Sequence, residues 1–289
     1  MSEKLKNLIV RTITGVLFVA IMVAGFLRPD AMILLFCIIA GMTVWEYTGL
    51  VNGIAHVRVN RFISTVAAVY LVVAVAAWRI QWVAGFVVMV PYVLSIMYLF
   101  VEELYLKQSN PINDWAYTML GQMFVAAPLA LISVLAFQTN SAGMPTYDML
   151  LPFSLFIFLW VNDSGAYCCG SLLGRHKLFP RISPGKTWEG SIGGAVFVLV
   201  AAGVVGWLSN SGKLSDAPSQ LSILEWLGLG LVVVVFGTWG DLIESLFKRT
   251  LGIKDSGSVL PGHGGMLDRF DSSLMAIPAA VVYLYTLQL

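Results

Sequence analysis

The sequence predicts an all-α polytopic integral membrane protein with about nine transmembrane helices. Three observations predict it. Of the 289 residues, 58% are hydrophobic and only 11% charged, against roughly 45–50% and about 25% in soluble domains. Nine apolar stretches approach the roughly 17–25 residues that cross a bilayer. The few positive charges fall on alternate loops, as the tendency of Lys and Arg to stay cytoplasmic requires. A formal charge of +1, from 17 Lys+Arg against 16 Asp+Glu, leaves no basic surface for a nucleic acid.

The stretches run at 13–27, 31–51, 62–77, 83–101, 115–137, 150–170, 191–208, 223–247 and 274–289. The first follows Lys4, Lys6 and Arg11 like a signal peptide, but no small-x-small cleavage site precedes Arg28, so it reads as an uncleaved helix. The second carries Glu46 near one end, a functional acid or a paired structural one. The third, fourth and fifth are joined by short links and bear no chemical motif, so 1–138 is taken as a region of transmembrane helices alone and 139–289 as the catalytic region. Asn162 and Asp163 end the apolar part of the sixth, and Asp241 lies inside the eighth. With the N-terminus inside, fourteen of the seventeen Lys and Arg are cytoplasmic, and only Arg28, Arg79 and Lys213 lie outside. Nine spans then put the C-terminus outside. Cys37, Cys168 and Cys169 make neither a disulfide framework nor a zinc spacing.

Two cytoplasmic loops, 171–190 and 248–273, hold eight of the fourteen inside charges and two of the three histidines. At the end of the eighth span Asp241, Glu244, Ser245 and Lys248 share one helical face. An unpaired carboxylate at that depth costs several kcal/mol, so Asp241 needs a cation, a proton or water, with Lys186 or Lys248 as candidate ion-pair partners. The loop that follows contains Pro261–Gly265 and then Asp268, Asp271 and Ser272, where glycines let backbone approach a ligand and a helix start offers free N–H groups to an anion. Hard oxygen donors without a Cys or His cluster favour magnesium over zinc. In the other loop, Ser183-Pro-Gly-Lys186-Thr187 resembles the end of a Walker A loop, but Pro180 stands where that pattern needs Gly. What remains is a cation and two hydroxyls suited to phosphate oxygens. Gly170 and Gly174 fit a helix contact. Together Asp163, Asp241, Asp268 and Asp271 with Lys186, Lys248, Arg249, Arg269 and His263 suit phosphoryl chemistry on a lipid with an anionic head.

The run 245–271, S-L-F-K-R-T-L-G-I-K-D-S-G-S-V-L-P-G-H-G-G-M-L-D-R-F-D, resembles the signature of the phosphatidate cytidylyltransferases, or CDP-diacylglycerol synthases. That pattern is S-x-apolar-K-R, four residues, K-D, then P-x-H-G-G-apolar-x-D-R-apolar-D, and every fixed position is occupied. Asn162-Asp163-Ser164, the S-P-G-K-T-W-E run at 183–189 and Gly240-Asp241 are similar to that family too. The resemblance is specific from about 159 to 273 and general before it. It implies an active site at the cytoplasmic membrane interface and the reaction of CTP with phosphatidate to give CDP-diacylglycerol and pyrophosphate, with Mg2+ alone or joined by a second cation such as K+. Asp241 and Asp268 match the family's acidic metal positions, with Asp271 and Asp163 as supports. Lys248, Arg249, Lys186 and Arg269, with Ser183, Thr187 and Asn162, would hold the triphosphate and the lipid phosphate, and the His263-Gly264-Gly265 turn would bring N–H groups to a phosphate.

Family similarity and the glycine-rich spans also point to a homodimer, and the compact chain without a transit segment to a bacterial inner membrane with a periplasmic C-terminus. The rival readings are a lipid kinase or other membrane nucleotidyltransferase and an ion-coupled transporter. A transporter should show a repeat, and the two halves do not match. The D-G-x-x-A-R motif of the CDP-alcohol phosphotransferases is absent.

Overall fold

The computed structural model describes residues 3–53, 57–83, 85–140, 142–211, 221–259 and 264–287, with side chains from residue 9 onward. His263 and Lys213 therefore lie outside the described residues, as do the side chains of Lys4 and Lys6. The chain divides into two compact units, 1–149 with 251–270 and 150–250 with 271–289. The boundary of the first unit falls after Met149, and that unit includes part of the signature loop.

In the first unit, α1 (Glu3–Phe26) is followed by α2 (Pro29–Asn52), which opens with Pro29 in its first turn. Next comes α3 (Arg61–Arg79), capped by the Asn60 side chain accepting from Ile63 N. A 3-10 turn (Gly85–Met89) leads into α4 (Val90–Leu106). Then α5 (Pro111–Leu120), a π turn (Gly121–Ala126) and α6 (Ala127–Ala136) run as one segment. The π turn is where Gly121 meets the Tyr47 ring, since a Cβ there would sit 2.8 Å from Tyr47 Cε1. Tyr47 Oη donates to Tyr117 O at 2.9 Å and Gln122 Nε2 to Ser64 O at 2.9 Å, which ties the widened turn to α2 and α3. A hairpin, β1 (Phe137–Thr139) with β2 (Pro145–Tyr147), closes the other end, where Arg79 Nε donates to Phe137 O and Tyr147 Oη to Phe26 O. The short helix α10 (Leu267–Phe270) completes the unit.

The second unit holds α7 (Leu150–Leu173), α8 (Trp188–Asn210), α9 (Ile223–Thr250) and α11 (Ser273–Leu287). Between α7 and α8 the expected loop contains an antiparallel hairpin, β3 (Lys177–Phe179) with β4 (Ser183–Thr187). Small residues bring α7 and α8 together. A Cβ on Gly194 would lie 2.5 Å from Asn162 Oδ1 and 2.8 Å from Asn162 O, and one on Gly190 would lie 3.2 Å from Gly170 Cα. Gly170 thus makes the helix contact its spacing predicts, while Gly174 lies against Thr187.

Eight of the described segments are long and apolar enough to span a membrane, and with α7 they match the nine predicted stretches one for one. Helix α7 itself is not among the eight, because Asn162, Asp163 and Ser164 dilute its apolar character. At 24 residues it is still about 36 Å long, more than a ~30 Å hydrocarbon core. The last span runs Leu267–Leu287, beginning earlier than its apolar run because α10 precedes it across Asp271 and Ser272.

Gly194→Ala should lower the thermal midpoint in detergent by an amount equivalent to about 1–3 kcal/mol, since its neighbour includes backbone. Gly203→Ala, whose Cβ would meet only Leu227 Cδ2 at 3.9 Å, should leave the midpoint unchanged or slightly raised.

Candidate functional site

The chemistry-bearing residues divide between the units. In the second unit, α7, the hairpin and the starts of α8 line a cavity of about 450 Å³, within the ~300–1,000 Å³ of small-molecule sites. Its wall includes Asn162, Asp163, Ser171, Lys186, Thr187 and Ser191, with Thr238 from α9. Asn162 is 7% exposed, and its Oδ1 has no hydrogen-bond partner. Lys186 Nζ lies 2.6 Å from Asp241 Oδ2, both side chains about one-quarter exposed, and Ser245 Oγ donates to Asp241 Oδ1 at 3.2 Å. One turn along α9, Lys248 Nζ lies 2.6 Å from Glu244 Oε2, and these side chains are only 12% and 1% exposed. The predicted face of α9 therefore forms, but its four groups divide into two pairs. Asp271 feels the charges of Asp241, Glu244 and Asp163, so four acids gather with two lysines.

The hairpin that presents Lys186 is held by a residue the sequence reading left without a role. The Glu189 carboxylate accepts from Arg175 N at 3.1 Å and His176 N at 3.2 Å, and its Oε1 lies 2.6 Å from His176 Nδ1. Thr187 caps α8, its Oγ1 accepting from Gly190 N at 3.1 Å, so this hydroxyl has a structural duty as well as a place in the cavity wall. Ser183 opens β4 opposite Phe179 and is not part of that wall. Arg249 is exposed in the last turn of α9.

In the first unit, Ser256 and residues 265–267 close on two carboxylates. Asp268 Oδ2 accepts from Ser256 N at 2.9 Å and Gly265 N at 2.8 Å. Glu46 accepts from Ser256 Oγ, from Met266 N at 2.9 Å and from Leu267 N at 3.1 Å. Gly264 has φ +81°, a left-handed turn that glycine permits. The N–H of Gly265, expected to meet a phosphate, is spent on Asp268, and the N–H groups at the start of α10 are spent on Glu46. Arg269 is exposed. Asp241 and Asp268, expected as one metal pair, belong to different units. Among the described residues no group of three or more His, Cys, Asp or Glu is arranged to hold a metal ion. The links that sequence reasoning missed are those of Glu46, Ser256 and Glu189. For Ser256 the signal available was its place next to the K-D of the signature.

The apolar helices, with charged side chains paired near their ends, define an integral membrane protein with a cavity of ligand size. The chain belongs to the Cytidylyltransferase family, whose model matches residues 9–287. It is 30% identical over 272 residues to the phosphatidate cytidylyltransferase of Staphylococcus aureus (strain COL), covering 93% of this chain and 96% of the relative. The Staphylococcus haemolyticus protein of the same name is also 30% identical over 272 residues. The phosphatidate cytidylyltransferase of Haemophilus influenzae is 43% identical over 134 residues, 46% of this chain and 45% of the relative. The family match thus extends well before the motif-bearing half.

Because Glu244 is almost wholly buried, Lys248→Met should cost about 3–5 kcal/mol of stability, as for other buried pairs broken on one side. The double variant with Glu244→Gln should recover most of that loss. Lys186→Met, at a part-exposed pair, should cost distinctly less. Thermal unfolding of the three variants in detergent checks the order.

Proposed function

We propose that the chain transfers the cytidylyl group of CTP to phosphatidate, giving CDP-diacylglycerol and pyrophosphate. The observation that carries the reading is the Lys186–Asp241 pair, whose lysine stands in the wall of a ligand-sized cavity, in a chain of this family. A phosphatidate oxygen attacks the α-phosphorus of CTP in line, one P–O bond forms, and the bond to the β-phosphate oxygen breaks with pyrophosphate as leaving group. No dedicated base is needed, because a phosphate monoester with a second pKa near ~6 is largely dianionic at neutral pH. Lys186 neutralises phosphate charge and Thr238 brings a hydroxyl to the same cavity, while the Ser171 and Ser191 hydroxyls donate to Cys168 O and Thr187 O. Asp241 holds the Lys186 ammonium in the wall before substrate enters.

Magnesium is the cation proposed. It is proposed on the signature and on donor chemistry, since Asp163, Asp241 and Asp271 offer hard oxygens, although among the described residues they are not arranged as a metal site. When bound, it supplies charge neutralisation on the non-bridging phosphate oxygens. Asp241 is its candidate ligand in this unit. Asp268 is retained on the motif alone, and its hydrogen bonds in the first unit give it a second duty. The charge sorting supports a cytoplasmic N-terminus and active face and a periplasmic C-terminus in a bacterial inner membrane.

Pyrophosphate release by detergent-purified protein, with CTP, phosphatidate and Mg2+ each omitted in turn, tests the reading. Release that needs all three is expected, whereas turnover with ATP or another lipid in their place would move the chain to a lipid kinase or related transferase. A finer test separates the two duties of Asp268. An Asn there can still accept from Ser256 N and Gly265 N, so Asp268→Asn should keep the fold while turnover falls roughly 10–100-fold or more. Unaltered turnover would leave Asp268 as a loop fastening only.

A further inference from the structure

We propose that Glu46 is a positioning residue for the signature segment, fastening it to α2 from a region without any motif of its own. A carboxylate within a membrane-spanning helix is tolerated only where donors or water satisfy it, and Glu46 finds three donors, all in one segment more than two hundred residues away. Two are backbone N–H groups, so the contact reads the path of the chain and not merely a side chain. Charge-assisted bonds of this kind are about twice as strong as neutral ones.

The fit is steric as well. A Cβ on Gly257 would lie 2.7 Å from Glu46 Oε2, and a Cβ on Gly265 would land on the same carboxylate. The two glycines form a slot for Glu46, which gives Gly265 a role that its expected phosphate contact does not. Ser256 joins this slot to Asp268. Its Oγ donates to Glu46 and accepts from Asp268 N at 3.3 Å, while its N–H donates to Asp268 Oδ2 at 2.9 Å. Ser256 is 3% exposed, so no water replaces these bonds readily. Glu46 therefore sets where Asp268 stands without meeting substrate. The consequence for turnover rests on the proposed reaction, whereas the fastening itself does not.

The experiment compares wild type, Glu46→Gln, Ser256→Ala and the double variant in detergent. Hydrogen exchange should accelerate about tenfold or more at Met266 and Leu267 in Glu46→Gln, with exchange in α8 and α9 unchanged. Turnover should fall about tenfold or more in kcat with KM for CTP little altered, and the double variant should be no worse than the poorer single one. Ser256→Ala removes the two bonds of Oγ and leaves the Met266 and Leu267 N–H groups on Glu46, so it serves if Glu46→Gln does not fold. Exchange at Met266 and Leu267 equal to wild type in both single variants, or losses that multiply in the double, would overturn the proposal. Should wild type itself fail to release pyrophosphate, the proposed reaction falls and the exchange measurement still decides the fastening.

Discussion

The constraint on which the rest of the molecule depends is the cost of ionised and polar groups at membrane depth. Hydrocarbon offers no water to satisfy them, so each must bring its own partner. Asp241 has Lys186, Glu244 has Lys248, and Glu46 has the signature segment. In α2 to α5 the same demand shapes structure away from the candidate site. Asp114, 1% exposed, accepts from Arg58 N at 2.7 Å, and Glu102 accepts from Asn60 Nδ2. Polar groups in this protein thus determine how loops are tied to helices, a role that apolar packing fills in soluble domains.

Apolar packing still governs the helices themselves, and there small residues do the work. Lipid tails are as apolar as leucine, so helix association relies on close approach. Between α7 and α8 the glycines allow backbone to come within reach of backbone, which places Asn162 and Asp163 on one wall and Lys186 on another. In the same unit Gly240 lets α9 lie against the Asp271 and Ser272 carbonyls, since a Cβ there would come 2.6 Å from Asp271 O. That approach is what sets Asp241 and Asp271 near each other.

Much of this was legible in the sequence, for identifiable reasons. Span placement follows from runs of apolar residues, and the shared face of Asp241, Glu244, Ser245 and Lys248 follows from helical period. Its split into two ion pairs does not, because partner choice depends on which element lies opposite. Lys186 comes from a hairpin whose short strands carry no alternation to announce them. The widened turn at Gly121–Ala126 is also silent in sequence, since the Tyr47 ring it lies against comes from another helix. Glu46 is the clearest case. As one acid in a hydrophobic span, it carries no trace of a partner that lies beyond two hundred residues.

Phosphoryl and nucleotidyl transfer ask little covalent chemistry of a protein and a great deal of positioning. That demand gives the two carboxylate fastenings a common logic. Glu189 gathers the N–H groups of Arg175 and His176 beneath the hairpin that carries Lys186, and Glu46 gathers those of Met266 and Leu267 beside Asp268. In both, a loop that carries a charged side chain is held through its backbone by an acid on a long helix. A loop held by its own functional side chains would surrender them to structure. Asp268 is the instructive exception, because its own Oδ2 fastens Ser256 and Gly265, and the same stretch receives a second carboxylate from outside.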